Sequence, residues 1–67
     1  MNKVLFRSVM VLHGDTDQTL ADYLGISKKS VNDKINENKT EFRKREIEAI
    51  KRRYSLSPEQ VIAIFFS

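Results

Sequence analysis

The chain has 67 residues, with 12 Lys and Arg against 9 Asp and Glu, one His and no Cys, giving a net charge of +3. A chain this short hides only about 60% of its unfolded surface, and without cysteine no disulfide or thiolate metal site can staple it, so stability must come from a compact core or a partner copy. No apolar run approaches the ~20 residues of a membrane span, and Arg7 interrupts the apolar N-terminal stretch before any signal-peptide cleavage site, so a soluble cytoplasmic protein is expected.

Lys3–Leu12 is the first predicted helix. Leu5, Val9 and Leu12 fall at i, i+4, i+7, and Phe6 and Met10 form a second i, i+4 pair beside them. Lys3, Arg7 and Ser8 lie largely outside this stripe. The valines also permit a strand, but the rest of the chain offers no convincing strand partner. Gly14 ends the element, and Gly14-Asp15 links it to Thr16. His13, the single histidine, has no visible ligand or acid–base partner. A helix-end role against the last carbonyls accounts for it.

The stretch Thr16–Ile35, TDQTLADYLGISKKSVNDKI, predicts two short helices around Gly25-Ile26-Ser27. Thr16 caps the first, with Asp17 adding an anion at its positive end. Leu20, Ala21 and Leu24 form its inward face. Gly25 suits the left-handed residue that closes the helix, because it carries no Cβ penalty. Ser27 caps the second helix, expected over about residues 28–36. So short a turn requires a steep crossing, and Ala21 suits the close approach there. Val31 and Ile35 point inward, leaving Lys28, Lys29, Asn32, Asp33 and Asn36 on or near the opposite face. Such a helix fits a DNA major groove.

LADYLGISKKSVNDKI resembles the helix-turn-helix of the phage repressor and Cro group of DNA-binding proteins, through Leu20, Ala21, Leu24, Gly25, Ile26, Ser27 and Val31. NENKTEF, followed by REIEAIKRRYSLSPEQVIAIFF, also resembles the small Cro-like regulators of phages and prophages in Gram-positive bacteria. The resemblance covers roughly Leu5 to Phe66. One departure is Lys34, where many members carry an apolar residue. The resemblance implies an all-α, lambda-repressor-like bundle of about five short helices. It also implies a homodimer on a near-palindromic DNA operator, with half-sites about 34 Å apart.

Asn36–Thr40 reads as a polar loop. Phe42 and Ile47 read as a hydrophobic staple at the next helix start, with Arg43 in the cap position. Glu46 supplies half of a capping box, which Arg43 cannot reciprocate. Ile47, Ile50 and Tyr54 form the expected buried stripe. Arg43, Lys44, Arg45, Lys51, Arg52 and Arg53 occupy exposed faces, relieved by Glu46 and Glu48. Ser57-Pro58-Glu59-Gln60 is a clear helix start, with Ser57 capping, Pro58 first and Gln60 completing the box. The following Val61, Ile62, Ile64, Phe65 and Phe66 exceed what one face of a short helix can bury. Ile62, Phe65 and Phe66 are therefore the candidate dimer contact.

These residues suggest binding without chemistry. Lys28 and Lys29 can donate to guanine O6 or N7, Asn32 can pair with adenine, and Asp33 can accept from cytosine N4. Asp33 has a second reading, repelling phosphate and excluding wrong sites. Gln18, at a helix N-terminus, is a phosphate contact, with Ser27, Ser30 and Asn36 as further ones. By the resemblance, Lys39 and Arg43 touch the backbone from their loop. An enzyme is not expected: there is no Cys, no glycine-rich phosphate loop and no gathered carboxylate set. No metal, cofactor, membrane or small-molecule substrate is expected. The rival reading is a protein-interaction module, an antirepressor or assembly factor on the same scaffold, supported by Asp17 and Asp33 on the supposed DNA face.

Overall fold

A computed structural model describes residues 1–66. Among them lie five helices and no strand: α1 (Lys3–Leu12), α2 (Asp17–Leu24), α3 (Lys28–Ile35), α4 (Lys44–Tyr54) and α5 (Pro58–Phe65). The expected small all-α bundle is therefore the observed architecture. Among the described residues no helix is long and apolar enough to cross a membrane.

Each helix begins where the sequence offers an acceptor. The Asn2 side chain accepts from the Leu5 N–H at 3.0 Å, a cap the sequence reading passed over. Thr16 and Thr19 form a reciprocal box at the start of α2. Ser27 accepts from the Ser30 N–H at 3.0 Å, and Ser57 and Gln60 bond each other's backbone at the start of α5. At α4 the Arg43 N–H donates to Glu46 Oε1 at 2.8 Å, the single half-box expected there. At α1, α2, α3 and α5 the cap satisfies a first-turn N–H that helix geometry leaves free, whereas at α4 Glu46 satisfies the N–H of the cap residue itself.

Gly25 closes α2 in the left-handed region at φ 72°, as its position predicts. A Cβ built there would meet nothing within 4 Å, so only the backbone resists a side chain. Gly25→Ala should cost about 1 kcal/mol, the strain of an L-residue in that conformation. A synthetic chain with D-alanine at this position should show no such cost in a urea melt. Equal losses for both enantiomers would mean that crowding, and not φ, selects glycine.

The core joins Phe6 and Met10 of α1, Leu20 and Ala21 of α2, and Val31 and Ile35 of α3. Phe42, Ile50, Tyr54, Leu56 and Ile64 complete it. Phe6 is its centre, with ring centroids 5.7 Å from Phe42, 6.5 Å from Tyr54 and 5.7 Å from Phe65. Edge-on and tilted aromatic contacts of this kind add to what area burial supplies. The Asn2 N–H also donates to the Ile64 carbonyl at 2.6 Å, fastening the chain start to α5.

Three expectations about faces need correction. The buried line of α1 is Phe6–Met10, whereas Leu5 and Val9 are half-buried and Leu12 is 82% exposed. The apolar stripe of α1 is wider than the surface packed on it, so its far edge remains in solvent. Ile47 is half-buried, beside a fully buried Ile50. Glu46, expected on an exposed face, is 4% exposed and lies against Lys34, itself 6% exposed. The Lys34 ammonium donates to both Glu46 oxygens, at 2.7 and 2.8 Å. Lys34 thus fills the inward position where the resemblance leads one to expect an apolar side chain, and Glu46 neutralises it there.

Candidate nucleic-acid interface

The site is built by α2, the turn at Gly25 and α3. Val31, Lys34 and Ile35 are the buried side of α3. Of the remaining positions, Lys28, Lys29, Asn32 and Asn36 are exposed, whereas Ser30 and Asp33 are half-buried. Asn36 is the C-cap, so the helix ends one residue short of the expected span. No other part of the described chain covers these side chains.

Several of them are held by neighbours. Lys29 Nζ donates to Asp33 Oδ2 at 2.8 Å while its side chain stays 85% exposed. The hydrogen bond from Lys29 holds the Asp33 carboxyl below its usual range, and the same pairing raises Lys29. Asp33 is therefore engaged within α3 and is the weaker candidate for reading a base. Gln18 Nε2 donates to Asp22 Oδ1 at 2.8 Å, one turn along its own helix. Ser27 uses its hydroxyl oxygen as a cap, and Ser30 is half-buried.

Asp17 stands at the entrance to α2 with its carboxylate turned to Arg7 and Asn32. Arg7 Nη1 donates to its Oδ1 and Arg7 Nη2 to its Oδ2, and Asn32 Nδ2 donates to Oδ2 at 3.4 Å. Burial raises the Asp17 carboxyl, but the bonds from Arg7 and Asn32 outweigh that and leave it below the usual value. The anion that counted against phosphate binding at this helix end is thus largely neutralised by α1. Periodicity puts Arg7 outside the apolar stripe and gives it no partner. A pairing ten residues back along the chain leaves no local pattern to find.

Lys39 and Arg43, in the segment between α3 and α4, are exposed. Lys39 adopts φ 65°, one of two left-handed residues in its loop with Glu37, so the loop turns sharply before α4. Lys3 adds a cation that sequence reasoning missed: its Nζ donates to Asn36 Oδ1 at 3.1 Å.

The candidate dimer residues divide. Ile62 and Phe66 are 59% and 68% exposed, consistent with an unpartnered apolar surface. Phe65 is instead half-buried, packing against Phe6 and against Phe42 at 6.1 Å, because α5 turns that side toward α1. It belongs to the core margin, and Val61 and Ile47 border the exposed patch in its place.

Lys51–Arg53 was expected as a solvated group. Arg52 is exposed and Lys51 half-buried, but Arg53 reaches back to Asp15 and lies 4.6 Å over the Tyr23 ring. His13 packs against Tyr54, with centroids 4.9 Å apart. Among the described residues no group of three or more His, Cys, Asp and Glu could hold a metal ion. The chain is thus a five-helix domain with a polar, cation-fronted helix on its surface. No family model, curated protein or solved structure matches it.

Proposed function

We propose that the chain is a sequence-specific regulator that binds double-stranded DNA in the cytoplasm, with α3 in the major groove. The observation that carries this reading is the outward face of α3. Lys28, Lys29 and Asn32 are exposed at the front of a capped helix, held out by a buried face on its other side. Hydrogen-bonding side chains at the start of a projecting helix are what base-edge readout requires. Lys39 and Arg43 supply the contacts to phosphate that set register. The exposed Ile62 and Phe66 join two copies on a near-palindromic operator, each occupying one half-site. No chemistry and no cofactor enters.

Selection from random DNA at two salt concentrations tests the reading. A recovered near-palindrome, with half-site centres about 34 Å apart, supports both the regulator and its dimer. Lys28→Ala and Asn32→Ala should each cost about 1–3 kcal/mol and relax preference at one or two base pairs. Lys39→Ala should weaken every sequence equally and lower the salt slope by about one. Uniform losses for all three variants would break this division between reading and holding.

The protein-interaction reading has one observation of its own. Val4, Val11 and Leu12 form an exposed apolar edge on α1, each at least three-quarters exposed. Recovery of no DNA sequence at either salt would favour that reading.

A further inference from the structure

Asn32 is one member of a hydrogen-bonded chain that crosses three helices. Lys3 Nζ donates to Asn36 Oδ1 at 3.1 Å, and Asn36 Nδ2 donates to Asn32 Oδ1 at 3.2 Å. Asn32 Nδ2 then donates to Asp17 Oδ2 at 3.4 Å, and Asp17 accepts from Arg7. The two ends of this chain have a single capability each. A lysine ammonium can only donate, and an ionised carboxylate can only accept. An asparagine amide alone is free to turn over, exchanging its oxygen and nitrogen. Between an obligate donor and an obligate acceptor, both amides have one arrangement that makes every bond. The opposite arrangement would set the Asn36 nitrogen against the Lys3 ammonium and the Asn32 oxygen against the Asp17 carboxylate.

We infer that Lys3, Arg7 and Asp17 are positioning residues for DNA readout, fixing which end of the Asn32 amide donates and which accepts. This rests on the proposed binding of DNA by α3. The fixed amide keeps one N–H and one oxygen lone pair free. Those are the groups a bidentate contact with adenine uses, the oxygen accepting from N6 and the nitrogen donating to N7. An amide that cannot turn over presents them in one order. It therefore selects adenine on one strand and rejects thymine at that place. Arg7 acts one step further back: its closer bond is to Asp17 Oδ1, while it reaches Oδ2 only at 3.5 Å, and so it orients the carboxylate with Oδ2 toward Asn32. Asp17 consequently has two opposed effects, repelling phosphate weakly while sharpening the choice of base.

The test compares the wild-type chain with Lys3→Met, Asp17→Asn, Arg7→Met and Arg7→Lys. Each is measured against duplexes carrying A·T, T·A or G·C at the position that Asn32→Ala relaxes. The wild-type chain should prefer A·T over T·A there by about tenfold or more, the scale of one good bidentate pair. Asp17→Asn and Lys3→Met should lose most of that ratio. Asp17→Asn should at the same time bind unrelated DNA more tightly, since an anion has gone. Arg7→Met should lose the ratio and Arg7→Lys should keep much of it. Melting curves identify any variant that has unfolded, and Lys3, exposed at the start of α1, carries the test if Asp17 does not tolerate change. The Asn32 side-chain amide is also followed by NMR in the free protein, where wild type should show two widely separated proton signals that move on Asp17→Asn. An unchanged ratio in folded Lys3→Met and Asp17→Asn, or an Asn32 amide indifferent to Asp17, overturns the inference and leaves the regulator reading standing. A wild-type chain that enriches no sequence overturns both.

Discussion

Lys34→Ala should destabilise the domain by about 3–5 kcal/mol, the cost of removing one partner from a buried ion pair. For a chain of this length, total stability of about 0.05–0.15 kcal/mol per residue makes such a loss enough to unfold much of the population. The reason lies in what is left behind. Burial raises the Glu46 carboxyl, and the Arg43 N–H, the Lys34 ammonium and the Arg43 charge bring it below its usual range. Without the ammonium, a 4%-exposed carboxylate keeps a single backbone partner. It must then protonate, move into solvent or remain uncompensated. The double variant Lys34→Met with Glu46→Gln should recover most of the loss. Methionine fills the same slot without charge, and the glutamine oxygen still accepts from Arg43. Exchanging a buried pair for hydrophobic groups of similar volume is often close to neutral, and the glutamine N–H groups, left without a buried acceptor, hold the recovery short of complete. Urea melts of the two single variants and the double variant, read as a cycle, check this. A Lys34→Ala loss below about 1 kcal/mol would mean that the pair behaves like one on the surface. The pair also joins the last turn of α3 to the first turn of α4, so the double variant asks whether a charged strut is needed to aim the outward face of α3. If it folds and still reads DNA, packing alone sets that angle.

What the sequence made legible follows the reach of each interaction. Helix starts were readable because a cap and its N–H are three residues apart: Thr16, Ser27, Arg43 and Ser57 all stand where expected. Gly25 was readable because one φ selects one residue type. The outward set on α3 followed from Val31 and Ile35 by periodicity, and the structure leaves Lys28, Lys29 and Asn32 in solvent. The pairs that fix relative positions of helices were not readable. Arg7–Asp17, Lys34–Glu46 and Asp15–Arg53 join residues 10, 12 and 38 apart in the chain, and no member taken alone names its partner. Periodicity misplaced the α1 stripe for a related reason. It gives the width of an apolar face but not the part of it that finds a neighbour. Aromatic rings decided that matter, since Phe6 meets Phe42, Tyr54 and Phe65 and so turns α1 about its axis.

Acid should expose the second large effect, through Asp15. This carboxylate sits in the link between α1 and α2 with its side chain only 4% exposed. It accepts from Arg53 Nε and Nη2, both at 2.7 Å, from Thr19 Oγ1 at 2.8 Å and from the Tyr54 hydroxyl. The bonds from Arg53 hold its carboxyl far below the usual range; burial opposes them, and the hydroxyls of Tyr54 and Thr19 assist. The same cluster, with burial leading, raises the Tyr54 phenol well above its ordinary value. A carboxylate whose folded pKa lies below its unfolded one adds stability that is complete above the unfolded value. That stability drains away as pH falls through about 4 toward the folded value. Stability should therefore be level from about pH 7 to 5 and fall steeply below about pH 4, by roughly 2–3 kcal/mol from this group. Asp15→Asn should cost about 3 kcal/mol at neutral pH, since Arg53 then faces a neutral amide whose single oxygen cannot serve Arg53, Tyr54 and Thr19 as two carboxylate oxygens did. Its acid limb should be shallower but not flat, because Asp17 and Glu46, the other carboxyls held low in partly buried pairs, remain to titrate. Urea midpoints between pH 2.5 and 7 for the two proteins measure this. The Arg53 side chain also lies over Tyr23 of α2, so losing Asp15 loosens the hold of α4 on the helix that supports α3. An Asp15→Asn chain as stable as wild type at pH 7, with the same acid slope, would show that this cluster contributes nothing to the fold.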